Sequence, residues 1–233
     1  MRLWAAGVHI FTALGVVCAL MATLAIYDKN VEALFFWLAV AFFIDGVDGT
    51  MARAVGVKTH LPRFSGERLD LIIDYLTYVF VPALALLAWN HLQGTFGVIL
   101  AAGICLSSLY HFSDNDSKNK DNCFVGFPAI WNIIAYFIFA IEPAAWVTNA
   151  VVLALIVLTF VPMPWVHPVR VEALRPVTLA ALAAFCGAVL WNVAYGFPAS
   201  PFLQFVILAI AIYGTSLAVI WWLRGSSRNT PLD

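Results

Sequence analysis

Charged residues are scarce in this chain of 233 residues. Lys and Arg together number 12 and Asp and Glu number 13, so charged residues make up 11% of the sequence while hydrophobic residues make up 63%. A soluble domain of ordinary composition has about a quarter of its residues charged. The composition therefore indicates a membrane protein. The net charge of −1 provides no basic surface, which excludes nucleic acid as a partner.

Cysteine and histidine motifs for metal binding are also missing. The five histidines are dispersed and form no ligand pair, and the four cysteines stand singly with no C-x-x-C spacing. This pattern disfavours zinc. It favours the interpretation of the cysteines as small core residues, namely Cys18, Cys105, Cys123 and Cys186.

Long apolar segments occupy most of the chain. A helix needs about 20 mostly apolar residues to cross a bilayer. Eight segments of this kind lie between polar residues, at 7–27, 31–53, 66–89, 95–112, 127–141, 144–162, 176–195 and 201–223. They leave no room for a soluble domain. The prediction is an all-α, polytopic membrane helical bundle of about eight transmembrane helices, formed by residues 1–233 as a single domain.

The distribution of cations predicts the orientation of these helices. Lys and Arg are enriched in cytoplasmic loops. With a cytoplasmic amino terminus, Lys29 is the one cation of 12 that falls outside. We therefore predict that both termini are cytoplasmic. The polar segments 54–65, 113–126 and 163–175 then lie on the same side, and the active site is expected there.

Four carboxylates lie at the inner ends of the second and third predicted spans. Asp45 and Asp48 are spaced i, i+3, and Asp70 and Asp74 are spaced i, i+4, so each pair lies on one helix face. A carboxylate inside a bilayer costs about 2.5–3.5 kcal/mol, and four together require protons or cations between them. Oxygen ligands select Mg²⁺, Mn²⁺ or Ca²⁺. Two such ions would suit phosphoryl transfer, whereas a structural or proton-relay cluster in a cation transporter is the alternative.

The residues around these carboxylates form a longer motif. The sequence reads Asp45-Gly-Val-Asp48-Gly49-Thr-Met-Ala52-Arg53, then twelve residues, then Gly66-Glu-Arg-Leu-Asp70-Leu-Ile-Ile-Asp74. It resembles the signature of the CDP-alcohol phosphotransferases, D-x-x-D-G-x-x-A-R followed by G-x-x-x-D-x-x-x-D. The spacer is longer than the family's usual gap. That length, together with the segments 124–132 and 166–170, resembles the bacterial phosphatidylcholine synthases.

The resemblance implies a reaction and roles for individual residues. Such enzymes transfer the phosphatidyl group of CDP-diacylglycerol to an alcohol, here choline, and release CMP at the cytoplasmic face of the bacterial inner membrane. It implies that Asp45, Asp48, Asp70 and Asp74 bind divalent metal, Mn²⁺ or Mg²⁺ and two ions in number, with Asp70 and Asp74 catalytic and Asp74 also the general base. The motif residues expected to contact the nucleotide are Gly49, Ala52, Arg53 and Gly66.

More than one acceptor alcohol is compatible with the expected reaction. Serine, inositol or glycerol phosphate would serve the same chemistry, but choline needs aromatic faces, and the inner segments are rich in them. Phe124, Phe127 and Trp131 are spaced i, i+3, i+7 and would form one stripe at the start of the fifth helix. With Tyr110 and Trp165 they make up the predicted choline pocket. Other membrane phospholipids are expected neighbours, and the small residues permit a homodimer.

Overall fold

A computed structural model describes residues 1–117, 123–165 and 174–223. The described chain is almost entirely helical, and two short strands pair antiparallel, Phe124 opposite Trp165 and Val125 opposite Pro164. The elements in order are α1 (Arg2–Tyr27), α2 (Val31–Val55), α3 (Val57–His60), α4 (Gly66–Asp74), a π-helical turn (Tyr75–Phe80), α5 (Val81–Ala88), α6 (Gly94–Ser113), β1 (Phe124–Val125), α7 (Trp131–Ile141), α8 (Ala145–Thr159), β2 (Pro164–Trp165), α9 (Arg175–Tyr195) and α10 (Pro201–Leu223).

Local signals in the sequence account for the ends of the helices around the motif. The Asn30 side chain accepts a hydrogen bond from the Ala33 N–H and begins α2, which ends where Gly56 takes a left-handed conformation (φ 66°). The Ser65 hydroxyl accepts from the Arg68 N–H and begins α4. Pro82 has no N–H to donate to the carbonyl one turn earlier. The wide π-helical turn ends at Phe80, two residues before this proline.

The predicted helical stripe of Phe124, Phe127 and Trp131 is wrong. Helix α7 begins only at Trp131, while Phe124 lies in β1 and Phe127 in a segment without regular secondary structure. Gly126 has a positive φ of 78°, and a Cβ there would collide with the carbonyl of Thr159. The backbone of this segment bonds to α8 and its carboxyl end instead of to its own turns, through Phe127 N–H to the carbonyl of Leu158. Gly126, with its positive φ, and Pro128, which disfavours the helical conformation at Phe127, therefore prevent the helix that the spacing indicated.

Eight helical segments match the eight predicted spans in position, but not all of them in length. Five are long and apolar enough to cross a membrane within the described ranges, namely α1, the continuous helix Gly66–Ala88, α6, α9 and α10. The 11 residues of α7 and the 15 of α8 extend about 16 and 22 Å, less than the ~30 Å of hydrocarbon. Helix α2 has 25 residues but carries the two motif aspartates. An all-α membrane bundle fits these helices.

A hydrophobic core runs through the described bundle from Ala19 in α1 to Ile207 in α10. Its centre is α7, where Trp131 and Tyr136 are almost completely buried. The short connections between helices meet at the end of the bundle opposite the motif. There Lys29 donates to the carbonyl of Ala88 and lies over the Trp89 ring, and the Ala199 N–H bonds to the carbonyl of Ala140.

Candidate active site

The end of α2 and the chain from α4 into the π-helical turn bring three motif carboxylates together. One carboxylate oxygen from each of Asp45, Asp70 and Asp74 lies within 4.8 Å of the other two. All three side chains are half-buried. Asp70 and Asp74 stand one turn apart on α4, and Asp45 reaches them from α2.

The three carboxylates form a donor set for a hard divalent cation. Like charges at this separation repel by about 3–4 kcal/mol per pair at an effective dielectric constant of 20. A protein retains such an arrangement where a cation or proton compensates the charge. The ligand atoms are all oxygen, which suits Mg²⁺ or Mn²⁺ better than zinc, whose protein sites are built mainly on Cys and His. The residues present therefore fit the divalent metal that the motif implies.

Asp48 is the one motif aspartate outside this set of three. Its side chain is 6% exposed, one turn beyond Asp45 on α2, and its oxygens lie outside the group of ligand atoms that approach one another within 4.8 Å. Its expected role as a metal ligand stays a prediction.

The residues expected at the nucleotide lie on the same two helices, with differing surroundings. The exposed Arg53 side chain donates to the Thr50 hydroxyl at 3.0 Å and covers Gly49, where a Cβ would lie 3.4 Å from the guanidinium. Ala52 packs against a small cluster built around Ala5, Val8 and Val57. Gly66 is half-buried at the first turn of α4. Their contact with nucleotide stays a prediction.

Three residues outside the recognised motif lie against it. The ring of His9 in α1 is 9% exposed, and a Cβ on Gly66 would lie 2.8 Å from its Cε1 atom. Gly15 makes room for Ile73, since a Cβ there would lie 2.5 Å from the Ile73 Cγ2 atom. Tyr78 donates its hydroxyl proton to Oδ2 of Asp45 at 2.6 Å. The i, i+4, i+8 spacing of Asp70, Asp74 and Tyr78 is the signal that could have identified Tyr78.

Four of the five aromatic residues expected to bind choline lie together, and the fifth, Tyr110, packs on a different ring. Phe127, Trp131 and Trp165 pack edge to face, with ring centroids 5.0 Å apart for Phe127 and Trp131 and 5.5 Å apart for Phe127 and Trp165. Phe127 and Trp131 are fully buried, and the Trp131 indole donates to the Ser108 hydroxyl. Phe124 and Trp165 are half-buried partners in the strand pair. Tyr110 is exposed and lies against another ring, that of Phe160.

Comparison with known proteins identifies the family. The model of the CDP-alcohol phosphatidyltransferase family matches residues 8–161, about two thirds of the chain. The chain belongs to this family. The matched range contains α2 and α4, so the three clustered carboxylates lie within the family's own domain. Transferase chemistry in phospholipid biosynthesis and a requirement for divalent metal are general properties of CDP-alcohol phosphatidyltransferases, and the acidic cluster here is suited to bind such a metal.

The similar curated proteins are bacterial phosphatidylcholine synthases. The protein from Mesorhizobium japonicum is 44% identical over 77% of this chain and 67% of its own length. The one from Pseudomonas aeruginosa is 44% identical over 75% of this chain and 73% of its own. The one from Bradyrhizobium diazoefficiens is 41% identical over 91% of this chain and 80% of its own. The similarity therefore covers most of the bundle as well as the motif.

Proposed function

We propose that this protein is a phosphatidylcholine synthase that transfers the phosphatidyl group of CDP-diacylglycerol to choline and releases CMP. The observation that carries the proposal is the combination of 41–44% identity to such enzymes with the clustering of the family's aspartates. The alternative of a cation transporter loses its support, because family membership accounts for the acidic cluster. The same chemistry with serine, inositol or glycerol phosphate is the competing acceptor choice.

The carboxylate cluster suggests how the side chains divide the work. Asp45, Asp48 and Asp70 would hold divalent metal, Mn²⁺ or Mg²⁺ and two ions in number, with Asp74 sharing the site. When bound, the metal neutralises the diphosphate and stabilises the leaving CMP. Asp74 takes the proton of the choline hydroxyl as its oxygen forms a bond to the phosphatidyl phosphorus and the bond from that phosphorus to the CMP oxygen breaks.

The neighbouring residues serve the substrates. Arg53 lies one turn beyond Gly49, where a guanidinium suits the diphosphate. The small residues Gly49, Ala52 and Gly66 are the other proposed contacts of the nucleotide. The half-buried rings of Phe124 and Trp165 would present aromatic faces to the choline ammonium, with Phe127 and Trp131 supporting them from the core. Tyr110 is the fifth proposed member and lies outside this stack.

The proposal has one decisive experiment. The purified protein is incubated with CDP-diacylglycerol, Mn²⁺ or Mg²⁺ and one of choline, serine, inositol or glycerol phosphate, and CMP release and the lipid product are measured. We expect CMP and phosphatidylcholine with choline only, and none from the Asp74→Asn protein. Use of serine instead of choline would contradict the choice of acceptor and support the same transferase reaction with serine.

The arrangement in the cell is part of the same proposal. We propose a single domain over residues 1–233, eight membrane-crossing segments and both termini in the cytoplasm of a bacterium, with the site at the cytoplasmic face of the inner membrane and a homodimer as the assembly. The distribution of cations supports this orientation. The continuous core from α1 to α10 supports one domain.

Labelling of introduced cysteines tests the orientation. Asn115 and Asp28 are exposed and lie at opposite ends of the bundle. In a variant whose four cysteines are replaced, Asp28→Cys should react with an impermeant maleimide in right-side-out vesicles, and Asn115→Cys only after permeabilisation. The reverse pattern would place the carboxylates outside.

A further inference from the structure

The hydrogen bond between Tyr78 and Asp45 connects the two halves of the carboxylate cluster. The donor lies in the π-helical turn and the acceptor in α2, 33 residues away in sequence. Its length of 2.6 Å is that of an O–H donor bound to a charged oxygen, a class about twice as strong as neutral hydrogen bonds. The tyrosine hydroxyl thus contacts one of the three clustered carboxylates directly.

The surroundings hold the Tyr78 ring in place. Its neighbours in sequence, Thr77 and Val79, are buried, and the ring of Phe42 from α2 lies with its centroid 6.3 Å away. The Thr77 hydroxyl bonds to the carbonyl of Ile73 and ties the turn to α4. The ring therefore stands on a packed backbone, in a π-helical turn of the kind that is frequent at functional sites.

The Tyr78 hydroxyl occupies one hydrogen-bonding position of the Asp45 carboxylate and restrains its rotation. An ionised aspartate accepts about four hydrogen bonds, two on each oxygen. Tyr78 uses one position on Oδ2. The bond also restrains the rotation of a side chain that Asp70 and Asp74 repel.

We propose that Tyr78 is a positioning residue, whose hydroxyl holds the Asp45 carboxylate in the orientation required to share a divalent cation with Asp70 and Asp74. The inference rests on the proposed function for one point, namely that the bound cation takes part in catalysis. Partners of metal ligands in other proteins contribute 10–100-fold to metal affinity or activity. Tyr78 fits this role because its hydroxyl donates directly to the Asp45 carboxylate.

The same turn offers a matched control. Tyr75 also lies in the π-helical segment, but its hydroxyl donates to the carbonyl of Cys105 in α6, at 3.1 Å. Tyr75→Phe and Tyr78→Phe each remove one tyrosine hydroxyl and keep the ring. Of the two changes, Tyr78→Phe removes a hydrogen bond to a motif carboxylate, whereas Tyr75→Phe removes one to a backbone carbonyl.

The test measures Mn²⁺ binding by the decrease in the electron paramagnetic resonance signal of free Mn²⁺, together with CMP release and the thermal unfolding midpoint. We expect Tyr78→Phe to raise the Mn²⁺ concentration for half-saturation at least ~10-fold, and Tyr75→Phe to leave it within about twofold. In Tyr78→Phe, CMP release should recover as Mn²⁺ is raised, with the choline KM unchanged. Unaltered Mn²⁺ binding in folded Tyr78→Phe protein, or an equal loss in Tyr75→Phe, would overturn the inference.

A double variant separates positioning from general packing. If Tyr78 acts through Asp45, Tyr78→Phe should cause no further loss of Mn²⁺ affinity in an Asp45→Asn background. Independent, additive losses would contradict the inference. The binding titration involves no turnover, so it can fail while the unaltered protein still makes phosphatidylcholine, and the acceptor assay can fail while the titration succeeds.

Discussion

Two parts of the bundle gather unusual side chains, and they do so with opposite physical consequences. The carboxylate cluster of Asp45, Asp70 and Asp74 places like charges within 4.8 Å of one another in half-buried positions. The aromatic stack of Phe127, Trp131 and Trp165 places rings edge to face, and the Trp131 N–H is satisfied by Ser108. The first arrangement opposes folding unless a ligand is present. The packed rings of the second favour folding, and within the described residues only the Trp165 indole N–H of this stack is buried without a hydrogen-bond partner.

This difference separates catalytic residues from structural ones. Groups held against their own repulsion are retained because they act on a ligand. Rings that are buried and hydrogen-bonded contribute through packing. Substitutions in the cluster should therefore remove activity and spare stability, whereas substitutions in the core of the stack should do the reverse.

The largest expected effect is the loss of activity in Asp70→Asn or Asp74→Asn. Either change removes a charged ligand or base from the site, and we expect CMP release to fall at least ~100-fold, comparable with the loss of one major electrostatic contact. The unfolding midpoint should stay the same or rise, because one repulsive charge is gone.

Asp28→Asn is the control, since Asp28 is exposed at the other end of the bundle. Removal of metal by a chelator should match the loss in the cluster variants, and added Mn²⁺ or Mg²⁺ should reverse it. Full CMP release by a folded cluster variant would remove the distinction between the two regions.

The second effect is a loss of stability in Trp131→Leu. The indole is fully buried at the start of α7, so the change leaves a cavity and an unpaired Ser108 hydroxyl. We expect about 2 kcal/mol of destabilisation, measured by denaturant unfolding in detergent. The activity per folded molecule should change little. A loss of turnover at unchanged stability would instead place Trp131 in direct contact with substrate.

The two regions also differ in how well the sequence predicted them. Asp70 and Asp74 stand on one regular helix, so their spacing was sufficient to place them on one face of α4, and the position of α2 beside that face brings Asp45 to them. The segment before Trp131 bonds to the end of α8, and its conformation depends on Gly126 fitting against Thr159, which lies 33 residues later. Helical periodicity contains no information about such a distant contact.

The remaining site residues were missed for the same reason. His9 and Gly15 lie on α1, more than 50 residues before α4, and they meet Gly66 and Ile73 only through helix packing. Asp48 shows the converse case. It shares a helix face with Asp45 by spacing, yet its carboxylate does not join the group of three. Periodicity identifies a face, but the position of the neighbouring helix decides which side chains meet.

The third prediction concerns the contact between α1 and α4. Gly66→Ala adds a Cβ that would lie 2.8 Å from the His9 ring, which itself packs on Phe64 with centroids 4.7 Å apart. The ring or the start of α4 must move, and Asp70 lies one turn further along that helix. Because small displacements of positioned groups are costly, we expect CMP release to fall roughly tenfold.

Gly7→Ala is the matched control for this change. It lies on α1 two residues before His9, and nothing stands within 4 Å of the Cβ it would acquire. It should retain activity, with a small gain in stability from the better helix former. Equal activity in both variants would show that the close approach of His9 and Gly66 has no part in the site.

The smallest effect is expected at the border of the aromatic stack, where Trp165→Leu tests whether the two regions cooperate. Trp165 is half-buried, pairs with Phe124 across the two strands and rests on Phe127. A ring with one accessible face attracts a quaternary ammonium by about 0.5–1 kcal/mol, so the choline KM should rise roughly two- to fivefold. Leucine keeps apolar volume but has no ring quadrupole, and the KM for CDP-diacylglycerol should not change. Phe96→Leu is the control, because that ring is exposed near the start of α6, at the end of the helix far from Tyr110. An unchanged choline KM in Trp165→Leu, with Phe124→Leu equally silent, would assign the whole stack to packing and place the choline site elsewhere in the bundle.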